Sequence, residues 1–169
     1  MENIIIISAT SQTNLKLSNE ISEIICNKNY RINILNLEKL DLPLFNPTEI
    51  EKDKYVNSKE IIGITDLLVN ADGIIICAPE YNGNIPPVIS NAIAWVSVTT
   101  EYWKDGFKNK HFFISSSSGG EAINFQKSMT LQLEYLGGIV YNEKIIINSK
   151  NKTISEKPIK DLKDFLKLL

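Results

Sequence analysis

The sequence predicts a three-layer α/β fold in which a five-stranded parallel sheet carries helices on both faces. Residues 4–7 and 74–76 are isoleucine alone, and a strand that is apolar at every position is typical of a parallel sheet buried on both faces. These runs alternate along the chain with segments whose apolar residues recur at helical spacing, the order that builds βαβ units. A length of 169 residues is that of one domain, which we expect to span residues 1–169.

The first half of the chain is predicted to contain three strands and two helices. After the first strand, Leu17, Ile21 and Ile25 are among the apolar residues that recur at helical spacing. The next segment alternates between apolar and polar side chains, as in a strand. In order, the predicted elements are a strand at 4–7, a helix at 15–25, a strand at 30–37, a proline-containing loop at 41–47, a helix near 58–70 and a strand at 74–76.

The second half is predicted to contain two strands and three helices. One helix begins with Pro87, because the missing N–H of proline costs nothing at a first helical position. The next helix ends where Gly137 and Gly138 follow it. In order, the predicted elements are a helix at 87–98, a strand at 111–114, a helix at 122–135, a strand at 139–147 and a helix whose apolar face is Ile159, Leu162, Phe165, Leu166 and Leu169.

Five strands in one domain favour the flavodoxin-like order 2-1-3-4-5. In such sheets ligands bind beyond the carboxyl ends of the strands, at the point where the strand order reverses, which lies here between the first and third strands. Three loops leave the carboxyl ends of strands 1, 3 and 4, at residues 8–14, 79–84 and 115–120. We therefore expect a ligand to lie among these three loops.

The loop at 8–14 contains four hydroxyl and two amide side chains and no formal charge. It runs into a helix N-terminus, where free N–H groups and the helix dipole favour an anion, so it can hold a phosphate. The alternative is that one of these residues serves only as a helix N-cap. The loop at 115–120 has four serines and two glycines, and it is either a flexible turn or a surface that a flat ligand can approach closely.

Several classes of function are not expected. A net charge of −2 without a basic stripe argues against nucleic acid as a partner, and no apolar run predicts a membrane span or a signal peptide. No G-x-G occurs, which argues against a Rossmann fingerprint and a Walker loop. Cys26 and Cys77 lack metal-ligand spacing, and we interpret both as reduced core residues of a cytoplasmic protein without a metal site.

The predicted ligand loops offer little acid–base chemistry. His111 is the only histidine, and it begins a strand at the opposite edge of the sheet, where a structural role is expected. Glu80 and Tyr81 lie in a ligand loop, but each also has a structural explanation, the first as a surface carboxylate and the second as a packing ring. Such a site suits a cofactor that brings its own reactivity.

Residues 78–95 read A-P-E-Y-N-G-N-I-P-P-V-I-S-N-A-I-A-W. They closely resemble the P-E-Y-N-G-S-x-P-x-x-L-K-N-A-I-D-W signature of NAD(P)H-dependent FMN reductases, a family that includes quinone, chromate and azo-dye reductases. The order of strands and helices agrees with this family from the first strand to about residue 147. The first loop is shorter than the family pattern G-S-x-R-x-x-S-x-N. It has Ala9 for the first glycine and Gln12 for the arginine, and the only arginine of the chain is Arg31.

The resemblance implies an FMN-binding domain with the flavodoxin-like fold and with NAD(P)H as co-substrate. Hydride would pass from NAD(P)H to N5 of FMN, so no side chain is expected to be catalytic. Electrons would then leave to a small acceptor such as a quinone, a free flavin, an azo compound or a metal oxyanion. The residues that the resemblance assigns to FMN are Thr10, Gln12, Thr13, Asn14 and Leu15 at the phosphate, Pro79, Glu80, Tyr81, Asn82 and Gly83 along the ring, and Ser115, Ser117, Gly119 and Gly120 at the other edge of the ring and the ribityl chain.

Asn82 and Gly83 are expected to form a tight turn that directs backbone N–H groups at the flat ring. The resemblance further implies a homodimer or homotetramer with the site near a subunit boundary. The apolar residues that we expect to exceed what one helix face can hide are Ile85, Ile93, Trp95, Val98, Tyr102 and Trp103.

Two other functions remain open at the level of sequence. One is a flavodoxin-like electron carrier, although such carriers are strongly acidic and a net charge of −2 fits them poorly. The other is a relative that has lost FMN and serves as an interaction or regulatory protein, for which the altered first loop is the motive.

Overall fold

The computed structural model describes residues 1–48, 55 and 58–169. These residues form a parallel sheet of five strands in the order β2-β1-β3-β4-β5, which confirms the predicted fold class and strand order. The strands are β1 (Glu2–Ser8), β2 (Tyr30–Asn36), β3 (Gly73–Cys77), β4 (His111–Ser117) and β5 (Ile139–Ile147).

Helices cover both faces of the sheet. Leu17 of the first helix and Phe165 of the last share a buried cluster with Ile4, whereas Ile89 packs with Ile5 on the opposite face. In the described ranges the helices are α1 (Thr13–Ile25), α2 (Lys59–Val69), α3 (Pro87–Thr99), α4 (Ile123–Tyr135) and α5 (Glu156–Leu166), with a short 3₁₀ turn at Leu37–Lys39. None of the helices in the described ranges has the length and apolar content that a membrane crossing requires.

The isoleucine run of β1 contributes to the core on both faces of the sheet. Ile4 and Ile6 pack toward α1 and α5, and Ile5 and Ile7 pack toward the other three helices, because successive side chains of a strand alternate. All four are buried. Full burial of one such side chain contributes about 1.5–3 kcal/mol, so the run fixes β1 in the interior of the sheet.

Strand β4 is longer than the sequence predicts. Ser115 and Ser116 are fully buried within it, because they pair with β5 on one side and the Ser115 carbonyl accepts the Ala78 N–H at 3.1 Å on the other. The prediction of a loop from residue 115 is therefore wrong, and the strand ends at Ser117.

The two cysteines differ in their surroundings. Cys77 is buried as predicted, and desolvation raises the pKa of its thiol to about 12, despite nearby Ser18 and Ser115 hydroxyls that lower it. The prediction that Cys26 is a core residue is wrong, because Cys26 is exposed. It follows Ile25 at the carboxyl end of α1, where the chain leaves the helix and its buried stripe.

Helix α3 buries Ile89, Ala92, Trp95 and Val96, while Val88 is only partly buried. The Trp95 indole N–H donates to the Pro43 carbonyl at 2.7 Å, and the Asn91 amide donates to the same carbonyl at 3.0 Å. The carboxyl-terminal half of the signature thus holds the segment that follows β2.

The apolar surface expected on and around α3 is smaller than the sequence suggests. Ile93 is 9% and Trp95 0% exposed, so neither is available to a partner. Val98, Tyr102 and Trp103 remain exposed, at 41%, 67% and 43%. The exposed apolar surface therefore lies at the last turn of α3 and beyond it rather than along the whole helix.

Candidate active site

Three predicted loops start side by side at the carboxyl edge of the sheet. The backbone ladder continues past the strands, since Ala9 N–H donates to the Cys77 carbonyl at 2.9 Å and Ala78 N–H donates to the Ser115 carbonyl at 3.1 Å. The segments after β1, β3 and β4 are thereby held together, as the strand order predicts.

The amino terminus of α1 is open. Gln12 is its N-cap residue, and no side chain caps the first turn. The N–H groups of Thr13, Asn14 and Leu15 have no acceptor among the residues that the structure describes. The alternative that a residue of this loop serves as a side-chain N-cap is therefore not realised, and the helix presents free donors together with the positive end of its dipole.

Asn14 links α1 to β4. Its side chain is almost fully buried, its amide donates to the Ser117 carbonyl at 2.9 Å, and its amide oxygen accepts the Ser117 N–H at 2.8 Å. Both ends of the side chain are thus occupied, which leaves the backbone N–H of Asn14 as its group without a partner in the described chain. Thr10 and Leu15 are partly buried, and Gln12 and Thr13 are exposed.

Glu38 fixes the first loop from the β2 side. Its carboxylate accepts the Ser11 backbone N–H, and the Asn36 amide donates to the Ser11 hydroxyl at 3.1 Å. The hydrogen bond from the Ser11 backbone N–H lowers the pKa of the Glu38 carboxyl, so Glu38 is negatively charged at neutral pH. This flank of the loop therefore carries a negative charge.

Asn82 and Gly83 form the predicted tight turn. Their φ angles are +50° and +66°, and Tyr81 and Asn84 on either side exchange two backbone hydrogen bonds of 3.2 and 2.9 Å. Two consecutive positive φ angles inside a two-residue hairpin loop are the pattern of a type I′ turn, which Asn-Gly favours. The N–H groups of Asn82 and Gly83 have no acceptor within the described chain. The turn is thus confirmed, and both of these N–H groups are available to a ligand.

Glu80 caps helix α4 from a different loop. Its carboxylate accepts the N–H groups of Asn124 and Phe125 at 2.8 and 3.0 Å, while its own N–H lies 3.3 Å from the Ser118 hydroxyl. The residue before α4, Ala122, has no side chain that could cap the helix. Glu80 therefore ties the loop after β3 to the loop after β4. The neighbouring Tyr81 ring is 49% exposed.

The remaining predicted residues differ in their access to solvent. Ser117 is partly exposed, and Gly119 and Gly120 are exposed, with no atom within 4 Å of a Cβ built at either glycine. Pro79 is buried. Ser115 is fully buried, with its side chain against Cys77, so the structure does not bring it to the ligand surface.

A groove of about 300 Å³ opens between the flank of α1 and the segment that follows β5. The residues that line it are Thr13, Lys16, Leu17, Glu20, Ser117, Ser118, Ile147, Asn148 and Lys152. Sequence reasoning did not include the residues after β5. The strand order alone could have predicted their place, because the carboxyl end of β5 lies at the same edge of the parallel sheet as the three loops.

His111 lies far from these loops, since it is the first residue of β4 and pairs with Gly73 and Ile139 at the amino edge of the sheet. Within the described part of the chain, no three histidine, cysteine or acidic residues are grouped so that they could hold a metal ion. The residues described at the carboxyl edge offer hydrogen-bond donors and open space.

The sequence model of the family described as NADPH-dependent FMN reductase matches residues 3–152. The chain belongs to this family. The match runs from β1 through the segment after β5, so it includes all the loops at the carboxyl edge, and it confirms the resemblance read from residues 78–95.

Two curated proteins are similar to parts of this chain. A subunit of NADH:(hydroxy)cinnamate reductase from Vibrio ruber, CrdA, is 37% identical over 65 residues, which are 38% of this chain and 30% of that protein. The quinone reductase of Escherichia coli is 26% identical over 116 residues, which are 61% of this chain and 59% of that protein. The matched part thus spans less than two thirds of either relative.

The solved structure of FerB, a flavoenzyme NAD(P)H:(acceptor) oxidoreductase from Paracoccus denitrificans, superimposes on this chain with a TM-score of 0.76. The superposition covers 99% of this chain and 94% of FerB, at 20% sequence identity. At this identity the likeness shows a common fold.

The residues at the carboxyl edge fit FMN, which has a phosphate at one end and a flat ring at the other. The free donors at the start of α1 suit an anion. Room for a ring exists at Gly119 and Gly120, where a Cβ would meet no atom within 4 Å. Gly83 has no side chain in the turn between Tyr81 and Asn84, so it leaves space beside the backbone there.

Proposed function

We propose that the protein is an FMN-dependent oxidoreductase that takes electrons from NAD(P)H and passes them to a small acceptor. The observation that carries the proposal is the convergence, at one sheet edge, of an uncapped helix terminus and the Asn82-Gly83 turn of the FMN reductase signature. FMN, when bound, supplies the hydride and electron chemistry, which side chains of these loops do not. A quinone, a free flavin, an azo compound and a metal oxyanion are the acceptor classes that we propose to test.

The phosphate end of FMN is assigned to the first loop and the start of α1. The uncapped N–H groups of Thr13, Asn14 and Leu15 donate to phosphate oxygens, and the side chains of Thr10, Gln12 and Thr13 add neutral hydrogen bonds. Asn14 acts through its backbone there, because its side chain is bonded to Ser117.

The ring end is assigned to the loops after β3 and β4. The N–H groups of Asn82 and Gly83 meet the polar edge of the ring, and Gly119 and Gly120 leave space for the ring and the ribityl chain. Pro79 and Glu80 hold these loops in place, and Tyr81 lies beside the ring. The work of the protein is alignment of two ring systems, which is a positioning task.

The test begins with the absorption spectrum of the purified protein and a titration with FMN. A flavin spectrum together with NADH or NADPH oxidation that depends on an added acceptor is the expected result. Bound FMN without any oxidation of NADH or NADPH would instead indicate an electron carrier. A colourless protein that ignores added FMN would contradict the proposal and favour a relative without cofactor.

We also propose a cytoplasmic homodimer or homotetramer. The exposed aromatic surface at Tyr102, Trp103 and Tyr135 motivates it, with Trp103 and Tyr135 in ring contact at 5.9 Å and 43% and 70% exposed. Light scattering at micromolar concentration should therefore give at least twice the 19.1 kDa mass of the chain. A species of monomer mass alone would contradict the assembly and leave the proposed chemistry untouched.

A further inference from the structure

The proposed phosphate site raises a question of charge. A phosphomonoester carries about −1.5 to −2 charges at pH 7. The first loop contains no basic residue, Gln12 stands where the family pattern has arginine, and Arg31 lies in β2. The nearest charge on one flank is Glu38, which has the wrong sign. A positive partner therefore has to come from another element of the fold.

The groove beside α1 supplies two lysines. Lys16 lies one turn after Thr13 on the same flank of the helix, and side chains of a helix lean toward its amino terminus, so the Lys16 ammonium can reach the first turn. The Lys16 ammonium lies 3.8 Å from the Glu20 carboxylate. Exposed ion pairs of this kind contribute little to the stability of a protein. Lys16 is thus available to a stronger anion.

Lys152 reaches the groove from the opposite side, on a segment that the structure holds firmly. The buried Asn148 side chain accepts the N–H groups of Lys150 and Asn151, each at 2.9 Å, and Asn148 N–H donates to the Asn151 carbonyl at 2.9 Å. The Asn148 amide also donates to Glu121 at 2.9 Å. Lys152 itself makes no ion pair with any residue of the described ranges.

The groove is continuous with the proposed cofactor site. Thr13 and Ser117 line it, and the two hydrogen bonds between Asn14 and Ser117 hold the start of α1 against the end of β4. An anion at the free N–H groups of α1 therefore has two lysines and Glu20 on the groove side, a net positive charge, and Glu38 on the other side.

We propose that Lys152, assisted by Lys16, provides the positive charge for the FMN phosphate, in place of the arginine that the first loop lacks. This inference rests on the proposed function. Lys152 is a binding residue that no motif of the first loop could reveal, because it comes from the segment after β5. The groove is selective for a phosphomonoester, since a flavin without phosphate gives the two ammonium groups nothing to contact.

The test compares FMN with riboflavin, the same ring without the phosphate. Dissociation constants are measured by flavin fluorescence for wild type, Lys152→Ala, Lys16→Ala and the matched control Lys150→Ala. Lys150 lies two residues away and lines a neighbouring groove that Lys152 also borders, but it does not line the groove beside α1. We expect Lys152→Ala to weaken FMN about tenfold, the effect of one charge-assisted hydrogen bond, and Lys16→Ala to weaken it less. Riboflavin affinity should stay unchanged, and Lys152→Arg should restore most of the FMN affinity.

Salt provides a second readout. The wild-type dissociation constant for FMN should rise with ionic strength, and that of Lys152→Ala should rise less, because one screened interaction has been removed. Thermal unfolding of each variant shows whether the exposed substitution has left the fold intact.

The outcomes separate this inference from the proposed function. Wild type that binds no FMN would overturn both. Wild type that binds FMN, with Lys152→Ala equal to Lys150→Ala, would overturn the inference alone. Equal loss of FMN and riboflavin would also overturn it, since the effect would not depend on the phosphate. A variant with unchanged FMN affinity but a raised KM for NADPH relative to NADH would assign the groove to the co-substrate instead.

Discussion

The two ends of the proposed FMN site are built by different means. At the phosphate end, donors come from the open terminus of α1, and nearby charges of both signs surround them. At the ring end, a type I′ turn, a helix cap from Glu80 and two glycines define a shape with little charge. Removing one charged group or one hydrogen bond changes the binding free energy by a limited amount. A backbone of the wrong shape, by contrast, prevents the ligand from binding. We therefore expect graded effects at the first end and abrupt effects at the second.

The largest effect is expected from Gly83→Val at the ring end. A β-branched residue at φ +66° is strained by about 1–3 kcal/mol, and the turn can relieve the strain only by changing shape. The purified variant should have lost its FMN. Gly63→Val, in helix α2 where a Cβ meets no atom within 4 Å, is the matched control and should keep it. A Gly83→Val protein with wild-type FMN affinity would mean that the turn is not part of the site.

A graded effect is expected at the phosphate end. Thr13→Ala combined with Asn14→Ala should raise the FMN dissociation constant at least several-fold, since each neutral hydrogen bond contributes about 0.5–1.5 kcal/mol. Thr13→Ala alone removes a proposed contact with the phosphate, whereas Asn14→Ala removes the two hydrogen bonds that join the start of α1 to Ser117. Asn19→Ala, exposed on the same helix, should change nothing. An unaltered dissociation constant in the double variant would remove the first loop from the site.

A small effect on rate is expected from Glu80→Gln. The amide oxygen can still accept an N–H group of α4, so the loops stay joined and most NAD(P)H oxidation is retained at saturating FMN. Glu80→Ala lacks that acceptor and should lower stability by about 0.5–2 kcal/mol, as loss of an N-cap does. His111→Ala should keep the wild-type rate. A drop of about a thousandfold in folded Glu80→Gln or His111→Ala would identify an acid or base, since such groups contribute that much.

The smallest effect is expected on the pH dependence of stability, through the Glu38 carboxylate beside the first loop. The Ser11 backbone N–H lowers the pKa of this carboxyl from its ordinary value of 4.5 in the folded protein. Its contribution to stability is therefore complete above that value and is lost as the pH falls through the lower folded value. Unfolding midpoints of wild type and Glu38→Gln should differ slightly at neutral pH and converge in acid. A difference between the two unfolding midpoints that grows as the pH falls would contradict the hydrogen bond between Glu38 and the Ser11 N–H.

Patterns of apolar residues were sufficient to predict the sheet, its order and the edge at which the site lies. The isoleucine runs determine which strands are central, and Asn82-Gly83 determines a turn type, because both depend on local properties of the chain.

Contacts between distant segments were not predictable in the same way. Glu80 caps a helix more than forty residues later in the chain, at Asn124, and Asn14 is bonded to Ser117. Polar serines continue β4 because neighbouring strands satisfy their backbones, although serine alone favours a turn. Lys152 and Thr13 line the same groove although they are far apart in sequence, and only the fold shows this. In each case the deciding partner lies far away in sequence.

The closed turn at Asn82-Gly83 also has a consequence for the timing of cofactor uptake. Fixing the backbone of one residue costs about 1–2 kcal/mol of conformational entropy. Tyr81 and Asn84 close the turn by hydrogen bonds within the chain. The entropy is therefore lost when the chain folds and not when a ligand binds. Binding slows when it requires a conformational change, so a loop that is already ordered favours rapid association. In the proposed site, this loop is therefore already ordered before FMN binds.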